Sequence, residues 1–173
     1  MTSQTVDARH LAGLKEVLQY VEAIGLPAKL IKKDEETPFS ALFVQLEKDF
    51  KARDRIINFT FLPFWEEELD HISLLQMYSI LPCDNPVNLE TLEKLLLAIN
   101  SQLSIGHLGI NNNNQIYLRY VYSINKSSPV SQGEISEVIL LFNYILDVYG
   151  DIIDNAAAGE KDFDTALAEL SRI

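Results

Sequence analysis

An acidic run near the middle of the chain is the densest set of residues that could bind a metal or transfer protons. It contains Glu66, Glu67, Glu68, Asp70 and His71. Hard cations need several oxygens that converge on one point, whereas neighbouring residues of a strand or helix point in different directions. The run has no EF-hand spacing and no His-x-x-x-His pair. We therefore interpret it as a solvated turn and predict no metal site.

Cys83 is the single cysteine and the only thiol that could act as a nucleophile. Together with His71 or His107 it would supply the two groups of thiol–imidazole catalysis. Cys83 lies between Pro82 and Pro86, however, and its neighbours match no known nucleophile motif. The chain also lacks a glycine-rich phosphate-binding loop. We therefore expect a structural cysteine, no catalytic residue, no cofactor and no enzyme activity.

Two aromatic residues, Phe64 and Trp65, directly precede the acidic run and follow a predicted strand. Aromatic side chains at the edge of a core can anchor a partner protein. They also bury well, and the same pair could simply close the end of the core. Both interpretations stay open, and Phe64 and Trp65 are retained as candidate partner-binding residues.

A long apolar segment from Ser131 to about Ala158 predicts a helix. Ser131 and Glu134 stand at capping-box spacing, which is typical of a helix start. The residues that form one helical stripe are Ile135, Val138, Ile139, Phe142, Ile145, Leu146, Tyr149, Ile152 and Ile153. A further set continues round the helix, and we call it the apolar ridge: Leu140, Leu141, Tyr144 and Val148. The remaining polar strip includes Asp147 and Asp154.

The apolar part of this helix covers about two-thirds of its circumference, whereas a surface helix of a monomer needs a stripe of only about 100° or somewhat more. Another element must therefore cover the apolar ridge. One candidate is the short C-terminal helix predicted within residues 160–173, and the other is a second chain. If the terminal helix leaves the ridge bare, we expect the ridge to be a homodimer interface or a docking surface for another protein.

Hydrophobic periodicity divides the rest of the chain into alternating helix and strand patterns. The predicted helices besides the long one are 7–24, a segment after the cap Asn88, and the C-terminal helix. The predicted strands are 28–33, 39–48, 55–62, 72–81, 105–110 and 115–124, the last two joined by an asparagine turn at 111–114. The strand at 72–81 is apolar on both faces, which predicts a central strand covered on both sides.

The resulting order is α-β-β-β-β-α-β-β-α-α. Consecutive hairpin-like links favour an α+β fold, with an antiparallel β-sheet of about five to six strands and helices packed mainly on one face. We expect a single domain over residues 1–173, with a flexible N-terminus at residues 1–6.

The formal net charge is −11, and it is unevenly distributed. Residues 63–173 carry five basic and sixteen acidic side chains, whereas residues 1–62 balance. This distribution disfavours nucleic acid and anionic membranes as partners. A lone cysteine and the absence of a signal-peptide pattern lead us to expect a cytoplasmic protein.

The element order resembles that of YbjN-like and type III secretion chaperone-like proteins. The stretch Phe61-Leu62-Pro63-Phe64-Trp65-Glu66-Glu67-Glu68-Leu69, followed by Leu74-Leu75-Gln76-Met77-Tyr78, is similar to an uncharacterised cyanobacterial family in that group. The chain departs from the pattern in an extra strand-like segment and in its terminal helix. The resemblance implies a small acidic homodimer that holds extended segments of partner proteins.

These observations predict a non-enzymatic protein-binding or chaperone-like module. The alternative is a small-molecule-sensing regulatory domain with a ligand between helix and sheet. A tight pocket with converging polar groups would favour the alternative.

Overall fold

The computed structural model describes residues 3–63, 69–83 and 86–172. The helices in these ranges are α1 Ser3–Ala23, α2 Leu89–Asn100, α3 Gln132–Ala157 and α4 Phe163–Leu170. The strands are β1 Ala28–Ile31, β2 Ala41–Gln45, β3 Ile56–Phe61, β4 Ile72–Ile80, β5 His107–Ile110 and β6 Ile116–Asn125. The predicted element order is confirmed.

The strands form one six-stranded sheet in the order β1-β2-β3-β4-β6-β5. The α+β class with an antiparallel sheet is therefore confirmed. Register places Leu42 opposite Phe59, and Phe59 opposite Met77, so one apolar row crosses β2, β3 and β4. All three side chains are fully buried. Strand alternation brings these residues to one face, because successive side chains point to opposite sides of the sheet.

The two faces of the central strand β4 are unequally covered. Ser73, Leu75, Met77 and Ser79 are buried, while the residues between them are half-buried and Ile80 is exposed. The expectation that this strand is central is confirmed, but of the two faces expected to be covered, one is only half-buried. An antiparallel sheet can leave one face largely to solvent, and apolar residues on that face are common.

The chain divides into two compact units, each described by itself below. The first unit comprises Met1–Leu46, Ile56–Tyr78 and Tyr120–Ile139, and the second comprises Glu47–Arg55, Ser79–Arg119 and Leu140–Ile173. In the first unit α1 packs against β1, β2 and β3, and in the second α2 packs against β5 and α4. The single domain over residues 1–173 stays a prediction.

Local sequence signals explain most helix ends. α1 begins at Ser3, earlier than the predicted residue 7, and ends before Gly25, whose φ of +84° suits glycine. The hydroxyl of Ser131 accepts a hydrogen bond from the Glu134 N–H at 3.3 Å, as the capping box predicts. Gly159, at φ +74°, ends α3. No helix in the described ranges is both long and apolar enough to cross a membrane.

Candidate functional site

The apolar ridge is exposed on α3. Leu140 is 67 % exposed, Tyr144 58 % and Leu141 38 %, and Val148 is half-buried. The opposite stripe of α3 is buried at every predicted position from Ile135 to Ile153. The terminal helix α4 packs against α2, and the ridge remains exposed in its presence. The structure thus leaves exposed the apolar ridge, which the sequence identified as more apolar surface than a surface helix of a monomer needs.

On the polar strip of α3, Asp154 is covered within the second unit, whereas Asp147 keeps half of its side chain exposed. Asp154 was expected on a solvated strip but is only 4 % exposed. Lys51 Nζ lies 2.5 Å from Asp154 Oδ2, and two nitrogens of the Arg53 guanidinium donate to the two carboxylate oxygens at 3.1 and 3.2 Å. Both cations belong to the loop between β2 and β3. This expectation for Asp154 was wrong because a segment about 100 residues away covers it.

The conformation of that loop is organised by Asp49. Its carboxylate accepts hydrogen bonds from the N–H groups of Lys51 and Arg53 at 2.9 and 2.8 Å, and from Arg53 Nε at 2.6 Å. Ala52 has a φ of +59°, which lets the chain reverse between the two cations. Short-range Asx hydrogen bonds of this kind stabilise a turn without a binding partner. Asp49 thereby holds Lys51 and Arg53 in position for Asp154.

A third cation, Arg55, is buried and pairs with another carboxylate of α3. It is 3 % exposed, and it donates from Nε to the Glu47 carbonyl at 2.8 Å and from Nη1 to Asp147 Oδ1 at 2.6 Å. The other oxygen of Asp147 accepts from the Asn143 amide at 2.9 Å. Buried charges are tolerated when they are paired and hydrogen-bonded in this way.

The protonation states in this network favour a structural role. Burial acts to raise the pKa of Asp154, but the hydrogen bonds from Lys51 and Arg53 outweigh it and hold the pKa below its ordinary value. Burial is likewise outweighed at Asp49, whose pKa is lowered by its bonds to Arg53. The hydrogen bond to Asp154 raises the pKa of Lys51. All of these groups therefore stay charged at neutral pH, which disfavours proton transfer by them.

Cys83 lies in a pocket of about 70 Å³ in the second unit, lined also by Phe50, Arg55, Pro82 and Leu146. Burial, together with the charge and hydrogen bond of Asp154, raises the pKa of the Cys83 thiol to about 12. The thiol is therefore protonated at neutral pH and is a poor nucleophile. No histidine is among the groups that set this pKa in the described ranges.

A larger pocket, of about 190 Å³, lies in the first unit. Its lining includes Arg9, His10, Glu16, Phe61, Ser73 and Lys126. The His10 ring stacks on Phe61 with centroids 4.8 Å apart and planes 11° apart. His10 is buried, which agrees with the structural role expected for it. Polar side chains and an aromatic stack around one cavity are typical features of small-molecule sites.

Most of the other residues singled out in the sequence are not described by the structure. Phe64 and Trp65 lie outside the described residues, as do Glu66, Glu67 and Glu68. Asp70 and His71 are exposed. Across 3–63, 69–83 and 86–172, no group of three or more His, Cys, Asp or Glu residues is arranged to hold a metal ion.

The structural residues that sequence reasoning missed are Arg55 and Asp154. Neither was predicted to be buried: Arg55 stood at the start of the predicted strand 55–62, and Asp154 stood on the polar strip. The available signal was the position of Asp154 directly after Ile152 and Ile153, near the end of the predicted helix. A single carboxylate there does not reveal its partner, because loop and helix are remote in sequence.

Comparison with known proteins adds no relative. No known family model matches the chain, and no curated protein is significantly similar to it.

Proposed function

We propose that this chain is a non-enzymatic, chaperone-like protein-binding module that captures a partner on the apolar ridge. One observation carries the proposal. In the second unit the ion-pairing loop covers Asp154 on the polar strip of α3, while the apolar ridge on the same helix stays exposed. If another element of the chain covered the ridge, the fold would be more stable, since burial of apolar surface is the main driving force of folding.

The arrangement of the ridge suits protein recognition. Leu140, Tyr144 and Val148 follow one another at intervals of four residues, so they form a continuous row about 12 Å long on a helix with 1.5 Å rise per residue. Contiguous exposed apolar surface bordered by polar residues is typical of protein–protein contact sites. Tyrosine and leucine side chains of this kind bury large area when a partner covers them.

The charged groups of the second unit support the non-enzymatic part of the proposal. Lys51, Arg53 and Arg55 are each bonded to a carboxylate, and the Cys83 thiol is protonated. A cytoplasmic location belongs to the proposal as well. It is supported by the lone cysteine, which can form no intrachain disulfide.

A capture experiment with two matched variants tests the function. Tagged wild-type protein, Leu141→Glu and Leu97→Glu are used to isolate bound proteins from the native organism. Leu97 is an exposed leucine of α2, so its variant carries the same change away from the ridge. We expect the same partner with wild type and Leu97→Glu, identified by mass spectrometry, and its loss with Leu141→Glu. Identical captured proteins for all three baits would contradict the proposal.

The pocket of the first unit supports a second candidate, a small-molecule-sensing domain. Native mass spectrometry of the protein purified from its own organism tests it. Ala12 is an exposed residue of α1 that lines the pocket, so Ala12→Trp should obstruct the cavity without changing the core. A retained small ligand that disappears in Ala12→Trp would support sensing, and wild-type protein without added mass would count against it.

A further inference from the structure

We infer that the partner segment on the apolar ridge is an amphipathic helix with lysine or arginine beside its apolar stripe, and not a second copy of this chain. This inference rests on the proposed function and adds to it the secondary structure and charge of the partner. It is argued from the backbone of α3, the arrangement of the ridge and the charges beside it.

The backbone of α3 favours a helix as the partner. Within a helix the N–H and C=O groups are bonded to one another, so α3 offers no free backbone groups to an incoming strand. An extended segment on the ridge would bury its own backbone groups without partners, at considerable cost. A helix satisfies its backbone internally and needs only side-chain contacts. The ridge therefore differs from a sheet edge, where an extended peptide adds as a strand.

The geometry of the ridge also favours a helix as the partner. Leu140, Tyr144 and Val148 lie on one i, i+4, i+8 row, with Leu141 beside it. Rows of this type pack into the grooves between corresponding rows of a second helix. A partner helix of two to three turns would cover the whole row, since about 12 Å corresponds to a little more than two turns of 5.4 Å each.

The charges beside the ridge determine the partner's composition. Asp151 lies one turn beyond Val148 and is exposed, whereas Asp147, beside Tyr144 and Val148, is already paired with Arg55. Between Gln132 and Ala157, α3 contains five carboxylates and no lysine or arginine. Complementary charge at the rim steers association and sets register. Lysine or arginine residues next to the apolar stripe of the partner helix would lie close to the carboxylates beside the ridge.

The same charges disfavour a second copy. Two α3 helices packed ridge to ridge, in either direction, would bring carboxylates together with no cation of α3 between them. The nearby cations of the second unit are already used: Lys51 and Arg53 bond to Asp154, and Arg55 bonds to Asp147. Like charges brought together at an interface suppress association.

Two synthetic helical peptides test the inference with the full-length protein. Both carry the same leucine stripe at i, i+4 and i+8, and they differ only in flanking lysines or flanking glutamates. Titration calorimetry at about 0.05 M salt, where surface charges are weakly screened, should show the lysine peptide binding at least about tenfold tighter. The advantage should shrink as salt is raised to about 0.5 M.

Three variants assign the binding to the ridge and to its rim. Tyr144→Ser should weaken both peptides by about tenfold, because it truncates a central apolar contact. Asp151→Asn should weaken only the lysine peptide, by about two- to fivefold, the usual size of an exposed charge pair. Leu97→Ser, the matched control on α2, should change neither. Circular dichroism and melting temperature verify that every variant is folded.

The outcomes separate this inference from the proposed function. Equal affinity for the two peptides, with loss of both in Tyr144→Ser, overturns the basic partner and leaves protein binding on the ridge intact. A solution mass of two chains that falls to one chain in Leu141→Glu assigns the ridge to a second copy and also overturns the inference. If the folded wild-type monomer binds neither peptide, the helical partner is refuted, and the capture experiment alone decides the proposed function.

Discussion

At the residue scale, a few buried charges explain how the second unit holds its loop. Asp154 accepts hydrogen bonds from Lys51 and Arg53, and Asp49 presents both cations to it. Removing a single member of such a network leaves its partners without a counter-charge. The resulting loss of folding stability is larger than the net stabilisation that the pair provides. The loop thus depends on one carboxylate of α3.

Replacement of that carboxylate should destabilise the protein. For Asp154→Asn we expect a loss of about 2 kcal/mol in the free energy of unfolding at pH 7. This is less than the 3–5 kcal/mol typical of a broken buried pair, because Lys51 and Arg53 can still reach water. Urea titration measures it. Glu90→Gln, which breaks an exposed i,i+4 pair with Lys94, is the control and should leave the free energy of unfolding nearly unchanged.

The same network makes stability depend on pH in a definite direction. The pKa of Asp154 in the folded protein lies below its ordinary value of 3.8. The stability that the ionised group provides is therefore complete above the ordinary pKa and is lost as pH falls through the folded pKa. The difference between wild type and Asp154→Asn should be smaller at about pH 3 than at pH 7. An unchanged difference would show that the ion pairs do not stabilise the fold.

Cys83 should react slowly with alkylating reagents. Its pKa is raised from 9.0 to about 12, so three pKa units separate it from an ordinary thiol. At pH 8 this means about a thousandfold less thiolate, the reactive form. Mass spectrometry after timed exposure to iodoacetamide measures the rate, with urea-unfolded protein as the reference. A rate in the folded protein equal to that reference would contradict the environment described for Cys83.

At the element scale, capping and turn residues fix the ends of the predicted helices and of the hairpin. Asn88 caps α2 by accepting from the Thr91 N–H at 3.0 Å, and Asn114 adopts a φ of +59° in the asparagine turn. Both roles follow from residue type, because asparagine is a good cap and tolerates positive φ. Strand ends were less well predicted: β2 covers Ala41–Gln45, whereas the pattern suggested 39–48.

Two glycines of the α3 region should respond in opposite ways to the same substitution. Gly150 lies within α3, and an added Cβ would meet nothing within 4 Å, so Gly150→Ala should stabilise by about 1 kcal/mol. Gly159 has a φ of +74°, so Gly159→Ala should destabilise by about 1 kcal/mol. Thermal unfolding measures both. Shifts of the same sign would contradict the described end of α3.

At the scale of the whole molecule, the net charge disfavours some classes of binding partner but does not identify the partner. A net charge of −11, with the excess in residues 63–173, opposes approach to other polyanions. The apolar ridge lies in this acidic half, which is why complementary charge enters the proposal for its partner. A fold by itself hosts many functions, so the resemblance to secretion chaperone-like proteins stays a prediction.

The protein should not bind duplex DNA. Counterion release, which drives non-specific DNA binding, requires clusters of lysine and arginine that a chain of this charge lacks. We expect an unchanged anisotropy of a labelled duplex up to about 100 μM protein at about 0.1 M salt. Salt-dependent binding in that range would contradict this reading of the charge distribution.

The sequence by itself determined the class of fold and most of the core. Period-2 and period-3.6 patterns of apolar residues report local backbone geometry, and they identified the strand that contains Phe59 and the buried stripe of α3. They also identified the apolar ridge as surplus. Local patterns contain the periodicity of a helix but not the identity of what packs against it.

Only the tertiary structure decided which side of α3 is covered. The loop at 47–55 and Asp154 are far apart in sequence, and their ion pairs bury a carboxylate of the polar strip. The terminal helix packs on α2, and the ridge stays exposed. The physical reason is that long-range pairing depends on where the folded chain brings distant charges together, which no local periodicity encodes.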